Sequence, residues 1–281
     1  MRSFQQVRGL RPSGTCDENT WLALVEASWQ LGERLLFHSS PNLRGDDVTS
    51  LQSKLARLGF DCGKVDGIFG PHTAKALEQF QRNCGLPVDG VCGHETICVL
   101  DRLGLQSGTG PGVAVLREQE LLRSPARRLS SLRLVIGHDG ALGSITRSVA
   151  RHLRSAGASV VPLDDPDPSV QAQTANQFAA DVYIGLNGCE EPGGRAFFYA
   201  VPGFESAAGR SLAGQLAAAL VARQVVDEVD LIGRRLPILR ETRMPAVWCE
   251  LGPVGQIVER AVSVADACTD AVTSWAVRPS G

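Results

Sequence analysis

The N-terminal third of this chain repeats itself. FQQVRGLRPSGTCDENTWLAL, starting at Phe4, aligns with FQRNCGLPVDGVCGHETICVL, starting at Phe80. The pairs Phe4/Phe80, Gln5/Gln81, Gly9/Gly85, Leu10/Leu86, Gly14/Gly90, Cys16/Cys92, Thr20/Thr96 and Leu24/Leu100 all keep one constant offset. Agreement of that kind marks two copies of one small unit, each too small to bury its apolar face alone. The second copy is complete. Gly45-Asp46-Asp47 precedes Val48, Leu51, Leu55 and Leu58, which are spaced as one face of a helix that Gly59 closes. The turn Val65-Asp66-Gly67-Ile68-Phe69-Gly70 leads to a second helix carrying Ala74, Leu77 and Phe80. Val88-Asp89-Gly90 is another turn, and Glu95 to Leu103 forms a third helix with Gly104 past its end. The first copy holds only the last third of this pattern.

Charge excludes some partners. The chain has 28 basic and 30 acidic residues, a net of −2, so nothing electrostatic favours nucleic acid or an anionic membrane. No apolar run is long enough to span a bilayer. Met1-Arg2-Ser3-Phe4-Gln5-Gln6 leads into no apolar core and does not read as a secretory signal. The expectation is a cytoplasmic protein as the sequence stands, and a cell-wall-associated one if a signal peptide lies upstream of this start. The cysteines at 16, 62, 84, 92, 98, 189, 249 and 268 form no Cys-x-x-Cys pair, and reduced thiols are expected.

The residues 45–60, 65–73 and 76–81 resemble the peptidoglycan-binding-1 family, whose pattern runs from G-x-x-V-x-x-L-Q-x-x-L-x-x-L-G through DG-x-F-G-x-x-T to A-x-x-x-F-Q. The resemblance implies a truncated repeat at 1–36 and a complete module at 43–104. It also implies contacts to glycan from the two Asp-Gly turns: Asp66, Gly67, Phe69, Gly70, Asp89 and Gly90. Phe69 and Trp21 are the aromatic rings that such contacts could use.

A Gly/Ser/Pro cluster, Gln106 to Gly112, opens a linker over 105–131. The linker continues as an amphipathic stretch to Leu122 and a basic patch, Arg123–Arg128. From Leu132 the pattern becomes alternating strands and helices. Strands are expected at 132–136, 158–163, 182–186, 197–201 and 246–249. Helices are expected at 145–156, 169–179, 206–225 and 256–277. The fold class is therefore α + α/β: small three-helix modules, then an α/β domain with a mostly parallel sheet flanked by helices. Ligands in such sheets sit beyond the carboxyl ends of strands, where His138, Asn187 and Glu250 lie. Cys249 alternates to the face opposite Glu250 and is not expected to act as a nucleophile.

SVQAQTANQFAADVYIGLN (169–187) and LPILRETRMPAVWCELGPV (236–254) resemble the zinc-dependent N-acetylmuramoyl-L-alanine amidase family known as amidase-3, and the likeness covers 132–277. It implies Glu250 as general base on a zinc-bound water that attacks the amide joining muramic acid to L-alanine. It implies His138 as a first zinc ligand. The second ligand, a Glu, has no counterpart in the contracted loop Ala141-Leu142-Gly143-Ser144. Asn187 stands where the family has its third ligand, a His. Asp139, Glu190 and Glu191 are the nearby acids that could substitute. With two of three ligands missing, Glu250 could instead be a structural carboxylate paired to Arg240 or Arg243. The expected protein binds peptidoglycan or muropeptide precursors and has impaired or absent zinc-dependent amide hydrolysis. The alternative is a cytoplasmic pseudo-enzyme that regulates precursor synthesis by binding a cell-wall synthesis protein.

Overall fold

The structure, a computed structural model, describes residues 1–10, 12–104, 112–123, 127–201 and 204–277. It divides into two compact units, Met1–Arg117 and Glu118–Gly281.

The first unit contains α1 (Arg2–Val7), α2 (Glu18–Ser28), α3 (Asp46–Arg57), α4 (Pro71–Asn83) and α5 (His94–Gly104). Val48, Leu51, Leu55, Leu77, Phe80 and Leu100 are the buried stripes of α3, α4 and α5. Pro71 starts α4 at a position where its missing N–H costs nothing. The Phe60 and Phe80 rings pack nearly perpendicular at 5.5 Å between centroids.

The repeat becomes physical in three buried glutamines. Gln81 Nε2 donates to Asp89 Oδ1 at 2.7 Å and to the Val91 carbonyl at 3.0 Å, while its Oε1 accepts from Gly90 N–H at 3.0 Å. Gln52 grips the 66–68 turn in the same way, accepting from Asp66 and Gly67 N–H and donating to Asp66 Oδ1, the Ile68 carbonyl and Thr73 Oγ1. Gln5 repeats the grip in the first copy, on Ser13, Gly14, Thr15 and Thr20. Each glutamine pays for its burial with a full set of bonds to one turn.

The first copy is fastened to the second. Arg8 binds Asp46 through both oxygens, and Arg34 Nε reaches Asp47 Oδ2 at 2.6 Å. Between the copies, Leu36 is buried and bridges to Cys92 in antiparallel fashion.

The amphipathic stretch in the expected linker is a helix, α6 (Val113–Arg123), and Leu129–Ser131 is a short 3-10 turn. Residues 105–111 and 124–126, with part of the basic patch, lie outside the described residues.

The second unit runs β1 (Arg133–His138), α7 (Gly143–Ser155), β2 (Ser159–Pro162), α8 (Pro168–Gln177), β3 (Val182–Gly188), β4 (Gly193–Val201), β5 (Phe204–Glu205), α9 (Ala207–Ala222), β6 (Val229–Arg234), α10 (Pro237–Glu241), β7 (Ala246–Gly252), α11 (Val254–Glu259) and α12 (Ala261–Val277). The sheet order is β2-β1-β3-β7-β4, with β5 and β6 both paired to β4. β2, β1, β3 and β7 are mutually parallel. β4 runs antiparallel to β7 and parallel to β6.

One sheet face presents Leu134, Ile136, Ile184, Leu186, Val247 and Cys249 to a core shared with α7, α9 and α12. On the other face, Tyr183 donates to Gln171 of α8 at 2.6 Å, and Gln171 in turn donates to the His138 carbonyl. Gly185 is required on that face. A Cβ there would lie 2.0 Å from the Trp248 ring.

Three expectations change. The expected closing helix 256–277 is two helices, α11 and α12, and β6 and α10 were not anticipated. β6 has the sequence VDLIGR and only half-buries its apolar residues at the sheet edge, so it lacks a strong apolar alternation. No helix among the described residues is long and apolar enough to cross a membrane.

Candidate functional site

β1, β3 and β7 deliver His138, Asn187 and Glu250 to the carboxyl end of the parallel sheet, but the register divides them. His138 pairs with Leu186, whereas Asn187 pairs with Glu250. Neighbouring residues of a strand point to opposite faces, so His138 falls on the Leu186 side while Asn187 and Glu250 share the other.

His138 is 4% exposed, and both ring nitrogens are taken. Nδ1 accepts from Gly140 N–H at 2.9 Å, which leaves the ring proton of the neutral form on Nε2. Nε2 lies 3.0 Å from Asp164 Oδ1, and the other oxygen of Asp164 lies 3.3 Å from Arg147. Gly143, at the start of α7, lets the ring in. A Cβ there would sit 3.0 Å from His138 Cε1 and Nε2.

Across the sheet, Glu250 Oε2 lies 3.1 Å from Arg195 Nε, and Arg195 Nη1 lies 3.1 Å from Glu191 Oε2. Burial works against the Arg195 charge, but Glu250 and Glu191 outweigh it and hold the guanidinium above its ordinary value. The Cys189 thiol is beside them, pushed up by burial despite the arginine. The partner of Glu250 is thus Arg195, not Arg240 or Arg243. Arg240 is itself buried, and the Arg243 backbone is held by Asn176 Oδ1 at 2.9 Å. Arg195 was missed because only strand register shows that it faces Glu250: the two are direct partners across β4 and β7.

Zinc catalysis takes about three protein ligands plus a water. Among the described residues, no group of three His, Cys, Asp or Glu side chains could hold a metal. The residues present do not fit zinc. His138 has no free nitrogen lone pair, Asn187 offers an amide, and Glu250 is neutralised by an arginine. Asp139, Glu190 and Glu191 are exposed, and Glu191 is spent on Arg195. Cys249 is fully buried in the core on the face away from Glu250.

In the first unit, Asp66 Oδ1 accepts from Ile68 N–H at 2.8 Å and Asp89 Oδ1 from Val91 N–H at 2.9 Å. The Val91 N–H, then the Gln81 amide, hold the Asp89 carboxyl below its ordinary value. Gly67 and Gly90 adopt φ of 73° and 67°, a region that favours glycine. Gly70 precedes the first residue of α4. Phe69 is fully buried, which corrects its expected role: its ring packs inside the module and offers no face to a sugar. Trp21 is 61% exposed.

The chain thus consists of a small helical module and an α/β domain with a mostly parallel sheet. Residues 44–100 match PG_binding_1, described as "Putative peptidoglycan binding domain". N-acetylmuramoyl-L-alanine amidase CwlM of Mycobacterium tuberculosis is 36% identical over 304 residues, covering 97% of this chain and 74% of that protein. The chain belongs to the N-acetylmuramoyl-L-alanine amidase family. A spore cortex-lytic enzyme of Bacillus cereus is 46% identical over 78 residues, 27% of this chain and 30% of that one. A solved structure, N-acetylmuramoyl-L-alanine amidase AmiC2 of Nostoc punctiforme, aligns with a TM-score of 0.45 at 16% identity, covering 51% of this chain and 96% of that one.

Proposed function

We propose that this chain is a peptidoglycan-binding member of the amidase family whose α/β domain no longer hydrolyses the muramoyl–alanine amide. One observation carries the reading: His138 has both ring nitrogens bonded within the protein and lies on the sheet face opposite Glu250. A carboxylate acts as general base when it can take a proton from an activated water. Here the Glu250 carboxylate is held by the Arg195 guanidinium, and among the described residues no group of three His, Cys, Asp or Glu side chains could hold a metal. The binding function rests on the 44–100 module, with Asp66 and Asp89 as its contact points, because Gly67 and Gly90 are buried in their turns. Under this reading the ligands are peptidoglycan and muropeptide precursors.

The test is metal content and hydrolysis measured on the purified full chain. Zinc well below one equivalent, retention on insoluble peptidoglycan and no released stem peptide are expected. One equivalent of zinc with stem-peptide release that Glu250→Gln abolishes overturns the loss of hydrolysis. Failure to pellet with peptidoglycan overturns the binding role.

A further inference from the structure

The eight thiols differ sharply in their surroundings. Cys62, Cys92, Cys249 and Cys268 are buried. Burial pushes Cys92 and Cys268 up to about 12 and raises Cys249 further. Cys84 and Cys189 are half-buried, and burial raises both of them despite the neighbouring Arg102 and Arg195. Cys16 and Cys98 remain, both exposed.

Cys98 has what a nucleophilic thiol needs, a base in contact. Its Sγ lies 3.5 Å from His94 Nε2, one turn earlier on α5. The i, i+4 spacing on a formed helix holds the two side chains on one face. Thr96 and Leu100 are the buried residues of that helix, so the pair projects into solvent and a group added there need not disturb packing. The pair belongs to the second copy alone, because the first copy has Glu18 and Leu22 at these positions.

We propose that Cys98, with His94 as its proton acceptor, is a reversible S-thiolation site that exchanges with small disulfides. His94 Nε2 takes the Sγ proton. The Cys98 thiolate attacks one sulfur of the small disulfide, forming a mixed disulfide as the original S–S bond breaks. The other sulfur leaves as a thiolate and recovers the proton from His94. Attack by a dithiol such as dithiothreitol reverses the step.

Cys16 is the internal reference. The reduced full chain is incubated with glutathione disulfide at pH 7, and the adduct on each cysteine-containing peptide is followed by mass spectrometry. Cys98 is expected to react about tenfold faster than Cys16, in keeping with the imidazole in contact with its thiol. His94→Asn is expected to bring Cys98 down to the Cys16 rate while the Cys16 rate stays constant, which also reports that the fold is intact. Equal rates at Cys98 and Cys16 in the wild-type chain overturn the proposal, and so does a Cys98 rate untouched by His94→Asn. The wild-type comparison decides by itself if the variant misfolds.

Discussion

At Glu250 and Arg195 the side chains are only about a third exposed or less, so their pairing is screened but not erased. Arg195→Ala is expected to lower stability by about 1 kcal/mol in a denaturant titration. It is also expected to leave the chain without amidase activity, because freeing a carboxylate does not supply a metal. Gln52 matters more. Removing its amide takes an acceptor from the Asp66 and Gly67 N–H groups and a donor from three oxygens, so Gln52→Ala is expected to cost about 3 kcal/mol by the same measurement. Asp89 contributes a pH dependence to stability. Its carboxyl is held low in the folded chain, so its contribution is complete above the unfolded value of about 4 and fades as pH falls through the folded value. Unfolding at pH 7 and pH 3 should show a loss on acidification, and Asp89→Asn should shrink that difference. The identity of Gln5 and Gln81 was legible in the repeat, where the two align. Their task was not, since each glutamine finds its turn only after the chain folds back.

The elements that read clearly in the sequence are those whose apolar spacing coincides with their burial, such as α3, α4 and α5. β1, β3 and β7 were visible as short apolar runs because both of their faces are covered. β6 was not, since an edge strand half-exposes its residues. Within the sheet, Gly185 lies beneath the Trp248 ring, and Gly185→Ala is expected to destabilise the domain by about 3 kcal/mol and to lower its thermal midpoint. At the start of α9, the buried Glu118 accepts from Ser206 Oγ at 3.0 Å and from Ala208 N–H at 3.3 Å. A carboxylate at a helix N-terminus satisfies free N–H groups and meets the positive end of the helix dipole. Glu118→Ala is expected to cost about 1–2 kcal/mol, measured by thermal or denaturant unfolding. Nothing local marks Glu118 for this role, because Ser206 is distant in the chain.

For the whole molecule, the sequence by itself determined the order of parts: a partial repeat, a complete module and an α/β domain of the amidase family. It could do so because repeat offset, apolar period and motif spacing are properties of the chain. It also determined which side chains stand at the strand ends, His138, Asn187 and Glu250, since that is a matter of residue identity. Only the tertiary structure decided what the remaining groups do. Strand register places His138 and Glu250 on opposite sheet faces and brings Arg195 to Glu250, and burial takes Phe69 out of reach of any sugar. Register and burial are relations between distant segments, fixed by how the strands pair and the helices pack, and no local stretch of sequence carries them.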